Sequence, residues 1–300
     1  MGGAAVQGRA VTQSPSPTPK KKSDLIPRVI TAVVAVPLLL WLLLAGPPWA
    51  FAILIGGAVV VAAWELVSMV QGGQGRAAQV ITCLASLGLF LAIYLTSSPT
   101  QAPDGNVVLA AASGGLLAIF IAHLFTFKSI EKVSLHVGTG ALALVYCAIM
   151  PTMLALLFRD AGQDGPAWVL MSMAVVWGSD TGAYFAGRAF GKHKLAPRVS
   201  PKKTIEGAVG GLITSLVVVF VFKYTLLPQL ELWQVFAIAI PANILGQIGD
   251  LCESVIKRAH GVKDSGVIIY GHGGLLDRID ALIFAIPWFY VCQRDRKSVV

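Results

Sequence analysis

Charged side chains gather in one C-terminal stretch of this chain, residues 249–280, which reads GDLCESVIKRAHGVKDSGVIIYGHGGLLDRID. Acidic side chains can hold a divalent cation, whereas basic side chains and the free amides at the start of a helix can hold phosphates. Charged residues make up only 13% of the chain, so such a cluster among apolar segments is costly and indicates function. The stretch predicts a phosphoryl-transfer site at a membrane surface.

Polar residues also recur at helical spacing along the segment that leads into this stretch. They are Asn243, Gln247, Asp250, Ser254 and Lys257. The spacing places them on one face of a helix, which must then face a cavity, a bundle interior or another polar helix. A hydrogen-bond network between helices would account for the stripe, but the additional charges of Glu253 and Arg258 favour a functional role.

A glycine-rich turn precedes the last two acids of the stretch. Gly273 and Gly274 would let the backbone approach a phosphate closely, and the helix that follows would begin with free N–H groups. No second His or Cys stands at ligand spacing from His272, so zinc is not expected there.

Three aspartates could form an oxygen-rich pocket suited to Mg²⁺. Asp277 and Asp280 lie three residues apart and share a helix face, and Asp250 would lie across from them. Asp280 could instead pair with Arg278 or Lys257.

A further candidate is the segment WGSDTGAYFAGR, in which Asp180, Tyr184 and Arg188 lie on one helix face near the end of a predicted span. An acid inside a span is a site candidate by default, although an ion pair with a neighbouring helix would also explain Asp180.

The segment SPKKT follows. Ser200 before a proline predicts the start of a helix, where Lys202 and Lys203 could meet a polyphosphate. The lysines could equally serve to set membrane topology. The nearby segment 187–193 is not a P-loop, because its glycine spacing is one residue short and no Ser or Thr follows the lysine.

The rest of the chain is apolar enough to hold these groups in a membrane. A mean hydropathy of +0.74 and 56% apolar residues exclude an ordinary soluble domain. Apolar runs of roughly 17–25 residues can cross a bilayer of about 30 Å. They lie at about 25–45, 48–70, 79–96, 107–127, 138–158, 167–187, 206–227 and 232–250, with a shorter run at 279–292. We expect an all-α, polytopic transmembrane helical bundle of eight or nine spans; no alternation typical of a β-barrel is present.

Basic residues between the predicted spans indicate the orientation. The lysines at 20–22 place the N-terminus in the cytoplasm, and loop 188–203, with six Lys or Arg and no acid, falls on the same side. The net charge of +8 is therefore attributed to topology and anionic headgroups, not to nucleic acid. A ninth span would place the basic tail at 294–297 outside, which conflicts with this pattern.

Three regions are expected along the chain. Residues 1–23 are predicted to be a disordered cytoplasmic tail, and residues 24–165 an N-terminal transmembrane scaffold with few polar groups apart from Glu65 and His123. Residues 166–300 are predicted to be the C-terminal transmembrane catalytic region. The four cysteines show no CxxC spacing and are expected to be small core residues.

Segment 254–280 resembles the signature of the CDP-diacylglycerol synthases, also called phosphatidate cytidylyltransferases, and WGSDTGAYFAGRAFGK and SPKKTIEG are similar to upstream segments of that family. The residues in register are Ser254, Lys257, Arg258, Lys263, Asp264, His272, Gly273, Gly274, Asp277, Arg278 and Asp280. Tyr270 departs from the family, which usually has Pro or Gly there; this alters the turn but removes no charge.

The resemblance implies an enzyme of the inner or plasma membrane that makes CDP-diacylglycerol and pyrophosphate from CTP and phosphatidate. It also implies Mg²⁺ dependence, with Asp250 and Asp277 as metal ligands, and homodimers in the lipid bilayer. Asp280, Lys257 and Arg258 are expected to support catalysis. The expected substrate-binding residues are Asp180, Tyr184, Ser200, Lys202, Lys203, Ser254, Lys263, Asp264, His272, Gly273, Gly274 and Arg278.

Two other functions would use similar residues. A CTP-dependent lipid or prenol kinase would transfer the γ-phosphate and leave cytidine off its product. A secondary transporter would use intramembrane carboxylates as an ion path, but it should show broken helices in two corresponding halves, whereas these polar groups crowd one end of the sequence.

Overall fold

The computed structural model describes residues 25–72, 75–266 and 273–298. Its helices are α1 (Leu25–Ala45), α2 (Pro48–Gln71), α3 (Arg76–Thr96), α4 (Gly105–Thr126), α5 (Val133–Ala143), α6 (Met150–Asp160), α7 (Gly165–Phe190), α8 (Ile205–Thr225), α9 (Leu232–Ala259) and α10 (Leu276–Ser298). Strands β1 (Lys194–Ala196) and β2 (Ser200–Thr204) pair antiparallel between α7 and α8. The tail predicted at 1–23 lies outside the described residues.

Six helical segments in the described part of the chain are long and apolar enough to cross a membrane. They are α2, α3, α4, α8, α9 and a continuous run at 130–160, in which a π-helical turn (Leu144–Ile149) joins α5 to α6. Helix α7, with 26 residues, is also long enough to cross, but it carries polar residues of the predicted site. The prediction of an all-α membrane bundle is confirmed.

Helix α10 carries the chain away from the charged cluster to the other end of the bundle. Tyr290 Oη donates a hydrogen bond to Asp160 Oδ2 at the end of α6 over 3.2 Å, and Arg294 donates to Tyr290 Oη over 2.8 Å. Arg159 joins the same network, because it donates to Asp160 and to two carbonyl oxygens at the C-terminal end of α3. Arg294 therefore lies at the end opposite Asp277, where a ninth crossing would place it.

Two contacts hold helices α9 and α10 together. One is a hydrogen bond to a carbonyl of α9 that has no donor within its own helix, and the other is a close approach at a glycine. Pro241 lacks an N–H, so the carbonyl of Ala237 loses its donor within α9. Trp288 Nε1 of α10 donates to that carbonyl over 2.9 Å. A Cβ at Gly249 would lie 2.8 Å from the carbonyl oxygen of Asp280, so only glycine permits this approach. These contacts set α10 beside Asp250.

Helices α7 and α8 cross closely through small residues. A Cβ at Gly182 would overlap Thr214, and one at Gly210 would overlap Ala186. Small residues let helix backbones approach each other. This close crossing fixes the position of the β1–β2 hairpin, which connects α7 to α8.

The prediction that Ser200 starts a helix is wrong, because Ser200 and Pro201 lie in β2. Helix α8 begins at Ile205 instead, where Thr204 Oγ1 accepts the amide of Gly207 over 3.1 Å and so caps the helix. Ser200 and Thr204 both carry a hydroxyl that could cap a helix. Because β2 pairs with β1, Ser200 lies in a strand and Thr204 becomes the cap of α8.

Candidate active site

A cavity of about 390 Å³ opens between α7, α8, α9 and the hairpin. Its polar lining combines bases with acids: Arg188, Lys202, Lys203, Asp180 and Asp250. Tyr184 also lines it, and its Oη accepts a hydrogen bond from Arg188 over 3.4 Å. A lining of this kind can receive an anionic ligand together with a cation.

The cavity reaches α9 at an ion pair. Lys203 Nζ lies 2.5 Å from Asp250 Oδ2, and Ser254 Oγ donates to Asp250 Oδ1 over 3.4 Å. The side chains of Lys203 and Asp250 are 29% and 26% exposed, so both remain accessible from the cavity.

A second ion cluster lies one turn farther along α9. Lys257 Nζ donates to Glu253 Oε2 and, over 2.6 Å, to Asp277 Oδ1 at the start of α10. Asp277 Oδ2 accepts the amides of Ser265 over 2.8 Å and Gly274 over 3.0 Å.

Asp277 precedes the apolar part of α10. Burial acts to raise the pKa of its carboxyl, but the hydrogen bond from Lys257 and the two backbone amides outweigh burial and hold that pKa below its ordinary value. The side chain is therefore an anion at neutral pH.

Asp280 lies deeper, where acids outnumber bases. It is 8% exposed, its Oδ1 accepts the amide of Ala281 over 2.7 Å, and it lies within electrostatic range of Asp250 and Glu253. Lys257, a proposed partner of Asp280, instead donates to Asp277 and Glu253. Glu253 lies within hydrogen-bond reach of Asp280, so these two carboxyl groups share one buried site beside Lys257.

The polar stripe on α9 serves two purposes. Asn243 Nδ2 donates to Ser179 Oγ over 2.6 Å and to Ser215 Oγ over 2.9 Å, while Gln247 Nε2 donates to Asn243 Oδ1 and Ala208 O. This first half is a hydrogen-bond network that joins α7, α8 and α9. The second half, from Asp250 onward, faces the ion pairs described above.

Other predicted site residues lie around this cluster. Arg258 is exposed and donates to the carbonyl of Val262 over 3.0 Å, and Lys263 and Asp264 are exposed in the turn after α9. Gly273 has a φ of +83°, which favours glycine, and with Gly274 it leads into α10, where Arg278 is exposed. Ser200 is half-buried in β2. His272 lies outside the described residues.

Glu65 of α2 contacts this region, although its sequence position suggested scaffold. It is 2% exposed; Oε1 accepts the amide of Leu275 over 3.0 Å, and Oε2 accepts the amide of Leu276 over 2.8 Å and Ser265 Oγ over 3.2 Å. The sequence feature that could have indicated this role is Glu65 itself, the single acid within a 24-residue apolar helix.

The donors in the cluster fit Mg²⁺ in kind, because they are all carboxylate oxygens. In the described part of the chain, no three His, Cys, Asp or Glu side chains are grouped so that they could hold an ion. Mg²⁺ is usually bound through one or two carboxylates together with water and substrate phosphates, so a partial site is sufficient. Asp250 and Asp277 each present a carboxylate of this kind, and each is paired with a lysine in this structure.

Comparison with known proteins identifies the family. Residues 26–294 match the Cytidylyltransferase family, an extent that includes the cavity, the ion pairs and Glu65. The chain belongs to this family. The expected resemblance is thereby confirmed.

Proteins named phosphatidate cytidylyltransferase are similar over nearly their whole length. The relative from Staphylococcus haemolyticus is 37% identical over 268 residues, which cover 87% of this chain and 95% of the relative. The relative from Bacillus subtilis is 33% identical over 278 residues (89% and 97%), and that from Haemophilus influenzae is 32% identical over 280 residues (87% and 96%).

Proposed function

We propose that this protein is a multi-pass membrane enzyme that transfers the cytidylyl group of CTP to phosphatidate, giving CDP-diacylglycerol and pyrophosphate for phospholipid biosynthesis. The observation that carries the proposal is the cavity in which Lys202, Lys203 and Arg188 face Asp180 and Asp250. The names of the three relatives support the same reaction.

The phosphate of phosphatidate is already anionic, so no strong base is needed. One of its oxygens bonds to the α-phosphorus of CTP while the bond from that phosphorus to the pyrophosphate oxygen breaks. Catalysis of such a step is mainly positioning and charge neutralisation. Lys202, Lys203 and Arg188 would neutralise phosphate oxygens in the cavity, and Lys257 would do so on the side of α10.

Mg²⁺ is the proposed cofactor, held by Asp250 and Asp277, with Asp280 in support. When bound, it would neutralise charge that develops on the transferring phosphates. Lys203 and Lys257 now pair with these two acids. Each lysine would be free to turn to a phosphate oxygen once its acid holds the cation.

We place this site on the cytoplasmic side of the inner or plasma membrane. Loop 188–203 carries six Lys or Arg and no acid, and its Lys203 contacts Asp250, so the basic loop and the acids share one end of the bundle. The proposed homodimer rests on family resemblance alone.

The direct test uses purified protein in mixed micelles with phosphatidate, Mg²⁺ and CTP labelled at the α-phosphate. We expect label in the lipid phase, release of pyrophosphate, and a loss of about 10³-fold in rate for Asp277→Asn. Asp104→Asn, which alters only the N-cap of α4, is the matched control and should retain activity.

Two results would reject the proposal. Folded wild-type protein that places no label in lipid would exclude cytidylyl transfer. Transfer of label from γ-labelled CTP to a lipid or prenol would favour the CTP-dependent kinase instead.

A further inference from the structure

A buried carboxylate from the N-terminal half of the chain holds the start of the helix that carries the proposed metal ligand. We infer that Glu65 is a positioning residue for Asp277: it fixes the loop residues 265–266 and 274–276 so that Asp277 faces the reacting phosphates. This role rests on the proposed function. Glu65 itself contacts neither the cavity lining nor Asp250 in the described structure.

Glu65 and Asp277 hold the same residue from two sides. Glu65 Oε2 accepts Ser265 Oγ over 3.2 Å, and Ser265 in turn donates its amide to Asp277 Oδ2 over 2.8 Å. Glu65 also accepts the amides of Leu275 and Leu276, which have no carbonyl partner within α10 because they stand at its start. One carboxylate thus orients both the loop and the first turn of the helix that carries Asp277.

The loop backbone closes tightly around this carboxylate. A Cβ at Gly266 would lie 2.7 Å from Glu65 Oε1, and one at Gly274 would lie 2.6 Å from Glu65 Oε2. A methyl group at either position would displace the carboxylate of Glu65, so the close approach depends on glycine at both positions.

The charge of Glu65 is stabilised by hydrogen-bond donors. None of the ion pairs formed within residues 25–72, 75–266 and 273–298 includes it. Two amides at the start of α10 and one hydroxyl can hold an anion of this kind, and all three donors lose their acceptor when it is removed. Asp277 would then keep Lys257 but lose the fixed positions of the amides of Ser265 and Gly274, and a displacement of about 1 Å costs roughly 100-fold in rate.

The test compares Glu65→Gln and Glu65→Ala with Asp160→Asn. Asp160 is an equally buried carboxylate, 2% exposed, which accepts hydrogen bonds from Arg159 and Tyr290 at the opposite end of the bundle. We expect kcat to fall about tenfold for Glu65→Gln, which keeps one acceptor, and about 100-fold for Glu65→Ala. KM for CTP should change less than about threefold, since the cavity is intact. Asp160→Asn should lower Tm but keep kcat per folded molecule within about twofold.

Hydrogen–deuterium exchange of the loop supplies a readout that does not depend on activity. The amides of Ser265, Leu275 and Leu276 should exchange faster in Glu65→Gln than in wild type. Their exchange rates should be unchanged in Asp160→Asn. Normal kcat in folded Glu65→Gln, or loop exchange equal to wild type, would overturn the inference. If wild type transfers no cytidylyl group, the proposed function fails, whereas the exchange result still decides whether Glu65 holds the loop.

Discussion

The contact between Lys203 and Asp250 brings a proposed phosphate-binding group onto a proposed metal ligand. Lys203→Met should lower kcat/KM about 100-fold, because it removes a donor that would face a charged phosphate in a partly enclosed site. Lys194→Met is the matched control. Lys194 is an exposed lysine on the same hairpin, and its side chain forms no ion pair or hydrogen bond with the residues that the structure describes. Equal losses in both variants would show that only the general charge of the hairpin matters.

The lowered pKa of Asp277 predicts a pH-dependent contribution to stability. Because the carboxyl is more acidic in the folded protein than in the unfolded chain, it stabilises the fold above its ordinary pKa, and this stability is lost as pH falls through the lowered value. Wild type should therefore melt at a higher Tm than Asp277→Asn near neutral pH, and this difference should become smaller below about pH 4. Melting curves in detergent across this range test the prediction; a difference independent of pH would contradict it.

At the scale of the helices, the crossing of α7 and α8 depends on the absence of side chains. Gly182→Ala would force a methyl group against Thr214 and should destabilise the protein by about 1–3 kcal/mol. Gly57→Ala in α2 meets no atom within 4 Å and should be neutral or slightly stabilising. Thermal unfolding of both variants gives the comparison, and equal Tm values would show that the crossing can relax.

The helices and most of the charged site could be predicted from the sequence, because long apolar runs and polar residues at helical spacing depend on local order alone. The start of α8 could not, since the choice between Ser200 and Thr204 as cap depends on the pairing of β2 with β1. The role of Glu65 could not either, because its partners lie about two hundred residues away in the chain. A lone acid in an apolar helix signals importance but does not name its partner.

Across the whole molecule, the two ends of the bundle differ in chemistry. One end carries the hairpin, the cavity and the ion pairs; the other is closed by Arg159, Asp160 and Tyr290. The charges at the other end pair with one another, whereas those of the first end line a cavity, where a soluble nucleotide and a lipid could meet at one surface.

This asymmetry predicts how the protein is oriented in cells. In a variant with all four cysteines replaced by alanine, Lys194→Cys should react with a membrane-impermeant thiol reagent only when the cytoplasmic face is accessible. Gln229→Cys, in the exposed turn between α8 and α9, should react only from the opposite face. Labelling of intact cells and inverted vesicles distinguishes the two, and the reverse pattern would contradict the proposed cytoplasmic site.

The hydrogen bond from Trp288 to Ala237 links two positions in the history of the protein as well as in its structure. The indole is useful there because Pro241 leaves a carbonyl without a donor. A descendant that loses the proline regains the helical hydrogen bond, so an indole is no longer needed at position 288. A descendant that loses the indole first has a carbonyl without a hydrogen-bond donor. Substitutions at these two positions should therefore be inherited in a preferred order, with the proline replaced before the tryptophan.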